Sequence, residues 1–161
     1  MLLGAESVGK SAIMKQFINE AFTDNNTQTV ADCYQHVIKL PSGLYRHIQI
    51  LDTGSLNQFP AMRDLSIRLG HAFAVVYAVD DYDSFNTAID MCNHIYQIKG
   101  TRNVRIVLVG NKLDATGCGR LISTECGLKL ASRSLKCAFV ETSAKLKLNV
   151  SCLFQTLLPE E

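Results

Sequence analysis

The chain has 161 residues, 47% hydrophobic and 19% charged, and its 16 Lys and Arg against 15 Asp and Glu leave a net charge of +1. That length and balance give one ordinary globular domain; they exclude a disordered chain and any basic field able to hold nucleic-acid backbone or acidic lipid by net charge. No apolar run approaches the roughly 18 residues of a membrane span, and Met1-Leu2-Leu3-Gly4 is too short a lead for a signal peptide. Cys33, Cys92, Cys118, Cys126, Cys137 and Cys152 contain no Cys-x-x-Cys pair, so free thiols in a reducing, cytoplasmic setting are expected rather than a zinc ribbon or disulfide framework.

The first motif follows at once. Gly4-Ala5-Glu6-Ser7-Val8-Gly9-Lys10-Ser11 fits G-x-x-x-x-G-K-[ST]. Its two glycines let a loop wrap tightly enough for consecutive backbone N–H groups to point at phosphate oxygens. Lys10 would reach the β and γ phosphates, and the Ser11 hydroxyl would ligate Mg²⁺. Ile13, Met14, Phe17 and Ile18 recur at helical spacing, so the loop opens a helix, with Ala12 in its first turn beside the phosphates.

Residues 33–40 and 45–51 flank Pro41-Ser42-Gly43 and predict a hairpin. Asp52-Thr53 ends its second strand; an Asp at that end, near a phosphate loop, is placed to hold Mg²⁺ through water, though a strand-ending turn would also use one. Phe73-Ala74-Val75-Val76-Tyr77-Ala78-Val79, and Val104 to Val109, read as strands buried on both faces. Phe85, Ala88, Ile89, Cys92, Ile95 and Tyr96 predict a helix between them, with Ser84 as its N-cap. Val150, Leu153, Phe154, Leu157 and Leu158 predict a last helix ahead of Pro159. Strands alternating with helices argue for an α/β fold with an open, mostly parallel sheet and ligands at the carboxyl ends of its strands.

Two further motifs sit at such ends. In Asn111-Lys112-Leu113-Asp114 a carboxylate can accept both the N1–H and the 2-amino hydrogens of guanine, whereas adenine would leave it unpaired at a cost of a few kcal/mol. The Lys112 stem can lie along the base. Thr142-Ser143-Ala144-Lys145 follows a short strand at 138–140, and its small residues would let a backbone N–H approach the guanine O6. Either tetrapeptide alone could be an ordinary loop. Their order behind the phosphate loop gives them meaning.

These motifs make the chain resemble the Ras family of small GTPases over nearly its whole length. The look of the Di-Ras branch is carried by Gln58-Phe59-Pro60-Ala61-Met62-Arg63, Leu65-Ser66-Ile67, Gly70-His71-Ala72-Phe73, Gln97-Ile98-Lys99-Gly100, Cys137-Ala138-Phe139 and Glu141-Thr142-Ser143-Ala144-Lys145-Leu146. The Dexras and Rhes branch is next most similar. The resemblance implies a six-stranded P-loop NTPase fold with one antiparallel edge strand, spanning 1–161 as a single domain. It implies GTP, GDP and Mg²⁺ as ligands. Phe22 would stack edge-on against the guanine, and Thr29 would ligate Mg²⁺ and bond the γ-phosphate. Val30-Ala31-Asp32-Cys33-Tyr34 and the stretch from Ser55 to Phe59 would face effector proteins. An exchange factor would be a second partner of this monomeric switch.

The chain departs from the family around the γ-phosphate. Leu56 occupies the slot of the catalytic Gln and cannot hydrogen-bond the attacking water, so intrinsic hydrolysis should be slow. Di-Ras proteins lack this Gln too. Ser55 takes the usual Gly slot of Asp-x-x-Gly, with Gly54 one place early; a one-residue shift putting Gly54 in the working place stays open. Glu6 replaces a Gly that lies against the γ-phosphate; two unit charges about 6 Å apart interact by roughly 3 kcal/mol at an effective dielectric near 20. A bulky anion there should also impede an arginine finger supplied in trans. Ala31 replaces an acidic effector residue. The short lead before the loop, and an end at Pro159-Glu160-Glu161 without a lipidation box, read as a truncated first strand and no membrane anchor. The expectation is a GTP-loaded signalling switch. Its rival is a pseudo-GTPase that binds nucleotide weakly or statically and only presents a surface; an ATP-using kinase is disfavoured by Asp114.

Overall fold

A computed structural model describes residues 1–18, 32–39, 42–54, 58–115 and 119–158. In chain order they form β1 (Leu2–Gly4), α1 (Lys10–Phe17), β2 (Asp32–Lys39), β3 (Tyr45–Asp52), α2 (Pro60–Leu69), β4 (Ala72–Ala78), α3 (Tyr82–Lys99) and β5 (Arg105–Asn111). Then follow α4 (Thr124–Lys129), a π-helical segment (Leu130–Leu135), β6 (Ala138–Glu141) and α5 (Val150–Leu157). The six strands make one sheet in the order β2-β3-β1-β4-β5-β6. Only β2 and β3 pair antiparallel; the other pairs are parallel.

Strand alternation feeds two cores. Phe73, Val75 and Tyr77 of β4 and Ile106 and Leu108 of β5 point to one face, where they meet Leu3, Ile67 of α2, the buried side of α3, and Ala131 and Leu135 of the π-helical segment. Ala74, Val76, Ala78, Val107 and Val109 point to the other, against Ile13 and Met14 of α1 and Val150, Leu153, Phe154 and Leu157 of α5. A sheet covered on both faces explains why these strands read as continuous apolar runs.

Strand β1 has three residues, yet it is paired on both sides: Leu2 with Asp52, and Leu2, Leu3 and Gly4 with Ala74, Val75 and Val76. Thr53 Oγ1 adds a bond to the Leu2 carbonyl at 2.8 Å. This central position aims its carboxyl end at the loop that follows.

The cap of α3 differs from expectation. Asp81, not Ser84, is the N-cap, and its carboxylate accepts from the Asp83 and Ser84 amides at 3.0 and 3.2 Å. Ser84 lies inside the first turn, buried, accepting from the Ala78 amide at 3.0 Å and donating to the Asp81 carbonyl at 2.8 Å. Its hydroxyl therefore stitches strand to helix. Helix α2 buries only Ile67 and leaves Met62, Leu65 and Leu69 exposed, which hides it from an amphipathic reading. Among the described residues, no helix is long and apolar enough to cross a membrane.

Candidate functional site

Gly4 ends β1 at φ 142°, and a Cβ there would lie 2.1 Å from the Val76 carbonyl oxygen. The loop at 5–9 then turns through Ser7 at φ 59° and Gly9 at φ 99°. Gly9 is the N-cap of α1 and offers no side-chain cap, and no acidic residue stands in the first turn. The helix therefore starts without a side-chain cap from Gly9 and turns the positive end of its dipole toward the loop.

Lys10 is only 5% exposed. Its ammonium donates to the Gly4 and Ala5 carbonyls at 3.0 and 2.6 Å, so it lies along the floor of the loop. Burial pushes it below the ordinary lysine range, and the charges of Asp52 and then Glu6 pull it back. A buried cation resting on neutral carbonyls is stabilised by any anion brought to it. Glu6 and Ser7 themselves are exposed.

Ser11 Oγ donates to Asp52 Oδ2, and the Gly54 amide donates to Asp52 Oδ1 at 3.2 Å. Asp52 is fully buried. The pair brings two hard oxygen donors together at the carboxyl end of β3. Two oxygen donors suit Mg²⁺, which takes one or two protein oxygens and fills its octahedron with phosphate and water.

The second half of the site is built around Asn111, at the end of β5 and buried. Its Nδ2 donates to the Val8 carbonyl at 2.8 Å, while its Oδ1 accepts from Thr142 Oγ1 at 3.0 Å and from the Ala144 amide at 3.2 Å. One amide thus ties the phosphate-type loop to both downstream motifs. Gly9 is what lets it approach, since a Cβ there would lie 2.2 Å from Asn111 Nδ2. The Leu113 amide donates to the Thr142 carbonyl at 3.0 Å, and Ser143 Oγ donates to Asp114 Oδ1 at 2.6 Å while accepting from the Leu146 amide at 3.0 Å. Lys112, at φ 65°, places its ammonium 3.5 Å from Asp80 Oδ1. Behind β6, Arg120 Nη2 and Thr124 Oγ1 both engage the Glu141 carboxylate, and Asn149 Nδ2 holds the Glu141 carbonyl at 2.8 Å.

Gly4, Ala5, Val8, Gly9, Lys10, Ser11, Asp52, Asn111, Lys112, Asp114, Ser143 and Ala144 are thus gathered at the carboxyl end of the sheet; Ala12 is in the first turn of α1, and Lys145 is exposed beyond Ala144. The Ala144 amide, expected to face a purine carbonyl, is engaged by Asn111, and a ligand oxygen would share or displace that long bond. Phe22, Thr29, Val30, Ala31, Ser55 and Leu56 lie outside the described residues. The sequence reading missed the Thr142 hydroxyl and the role of Asn111 as a tie. Asn111 and Val8 are 103 positions apart, and no local pattern signals such a bond.

A family model described as Ras family matches residues 1–160. The chain is 39% identical over 160 residues to GTP-binding protein Rit2 of Mus musculus, covering 99% of this chain and 72% of that protein. The same figures hold for GTP-binding protein Rit2 of Rattus norvegicus.

Proposed function

Because the chain belongs to the Ras family, we propose that it is a Mg²⁺-dependent GTP- and GDP-binding switch with slow intrinsic hydrolysis, acting through nucleotide-dependent contacts with effector proteins. The observation that carries this reading is the buried Lys10 on the floor of a loop whose helix is uncapped. The loop amides and Lys10 would hold the β and γ phosphates, and Ser11 and Asp52 would hold Mg²⁺, which screens phosphate charge when bound. Asp114, steadied by Ser143, would select guanine by accepting two of its N–H groups. Thr29 and Ser55 would order on the γ-phosphate and release on its loss. Leu56 brings no group able to align water, which is the reason for slow turnover. Within the family, the sequence runs quoted above favour the Di-Ras branch.

A non-catalytic reading draws its support from Ser7, a non-glycine residue held at φ 59°, and from the anionic Glu6 beside it; both make the phosphate end less accommodating. Nucleotide released from freshly purified protein separates the readings. GTP-rich material that converts to GDP slowly in a single turnover, and faster in Leu56→Gln, is expected. Empty protein that takes up no labelled GDP with Mg²⁺ present overturns the proposal, and bound ATP would defeat both readings.

A further inference from the structure

Behind the Asn111 end of the site, one ion pair joins the two segments that bear its motifs. Arg120 lies between Asp114 and α4; Glu141 ends β6, directly ahead of Thr142 and Ser143. Arg120 Nη2 donates to Glu141 Oε1 and, at 3.0 Å, to Thr124 Oγ1; that hydroxyl donates in turn to Glu141 Oε2 at 2.9 Å. Arg120 Nε donates to the Ile122 carbonyl at 2.8 Å, which orients the guanidinium. Both carboxylate oxygens are therefore engaged, and neither ion is a loose surface charge, since the side chains are only 22% and 10% exposed. A pair so far out of water acts as a geometric constraint, because breaking either half leaves the other charge uncompensated.

Each ion is also anchored to the sheet. The Leu121 and Ile122 amides both donate to the Val79 carbonyl, at 2.8 and 3.0 Å. The Glu141 carbonyl accepts from Asn149 Nδ2 at 2.8 Å, and the Thr142 amide donates to the Gly110 carbonyl at 2.8 Å. The segments bearing Asp114 and Ser143 are thus tied twice, once through those two side chains and once through Arg120 and Glu141.

We propose that Arg120 and Glu141 are positioning residues for purine recognition: by fixing the chain around the Asp114–Ser143 bond, they aim the Asp114 carboxylate at the base. The proposal rests on the guanine-binding reading above. Neither residue needs to touch the ligand. A carboxylate that accepts two N–H groups from one base has to lie in the plane of that base at one angle, so a small rotation costs the second bond before the first. What the pair controls is therefore discrimination between bases rather than the hold on phosphate, which falls to Lys10 and the loop amides.

Inosine diphosphate is the probe, because hypoxanthine keeps the N1–H and lacks the 2-amino group. Its dissociation constant and that of GDP are measured by competition against a fluorescent GDP with Mg²⁺ present. The unsubstituted chain is compared with Arg120→Ala, Glu141→Ala and the double variant. Unsubstituted, the chain should prefer GDP by a factor on the order of 10 or more, the worth of one hydrogen bond to a charged acceptor. In each variant the preference should shrink to about threefold or less, and the double variant should be no worse than either single one, because the two residues act as a unit. Arg120→Lys, which keeps the charge and loses the planar fork, is used if alanine unfolds the chain, and the preference should fall there too. The proposal fails if GDP and inosine diphosphate weaken by the same factor, so that the preference survives, or if the two alanine effects simply add. An unsubstituted chain that binds both diphosphates equally, or neither, overturns the guanine-binding reading itself and the proposal with it.

Discussion

The two ends of the candidate site are built by opposite means. At the Asn111 end, polar groups satisfy one another: Asn111 bonds the Thr142 hydroxyl and the Ala144 amide, and Ser143 bonds Asp114, across the ends of β5 and β6. At the loop end, the chain stores unfinished business: a buried ammonium, an uncapped helix start and a left-handed serine. The first end is tied by bonds within the protein; the second rests a buried charge on neutral carbonyls. Hydrogen bonds that close within the protein add stability, whereas a buried charge resting on neutral carbonyls gains from any anion brought to it.

Gly9 joins the two ends, so it gives the hardest test of the contrast. Gly9→Ala would place a methyl on Asn111 Nδ2 in a backbone conformation of φ 99°; a stability loss of about 3–5 kcal/mol is expected in chemical denaturation. Asn111→Ala removes the tie without changing a loop residue and leaves the Val8 carbonyl, the Thr142 hydroxyl and the Ala144 amide without it. About 2–4 kcal/mol should be lost even in nucleotide-free protein. A loss seen only with nucleotide bound would erase the distinction drawn here. Lys10→Met keeps the stem and deletes the charge. Nucleotide affinity should fall by a factor on the order of 10² or more in fluorescence titration, while stability without ligand holds steady, since the buried charge is lost together with its carbonyl bonds.

Ser7→Gly relaxes the left-handed serine, and should stabilise the protein by about 0.5–1 kcal/mol once glycine's extra chain entropy is counted. A control lies away from both ends, between α2 and α3, where Asp64 Oδ1 lies 2.8 Å from His94 Nε2. That hydrogen bond first, and the neighbouring charges of His94 and Arg63 after it, hold the Asp64 carboxyl below its ordinary range. The folded form is the stronger acid, so its stabilisation is present above about pH 4 and fades as pH falls through the folded value. The pair is partly exposed and screened, so Asp64→Asn should flatten this acid limb of the stability curve by less than about 0.5 kcal/mol.

Much was legible beforehand wherever the signal was local. The hairpin about Ser42-Gly43, the strands through 73–79 and 104–109, and helices α1, α3 and α5 stand within a few residues of where periodicity puts them. The glycine-rich octet, Asn111-Lys112-Leu113-Asp114 and Thr142-Ser143-Ala144-Lys145 lie at strand ends as expected. Helix α2 was not legible, because Met62, Leu65 and Leu69 are exposed apolar residues that dissolve the usual contrast between faces. The stretch between β5 and β6 was silent too. Its helix changes to π geometry at Leu130, and a lengthened turn shifts the residues away from a regular 3.6 period.

By itself, then, the sequence determined the layered α/β plan and the strand-end positions of its three motifs, since each is written in residues a few positions apart. Tertiary structure alone decided that Asp81 caps α3 while Ser84 turns inward, and that Asn111 binds three chain segments into one site. Those arrangements depend on which strand lies beside which. Bonds between residues 31 to 103 positions apart exist only once the sheet has closed the distance between them.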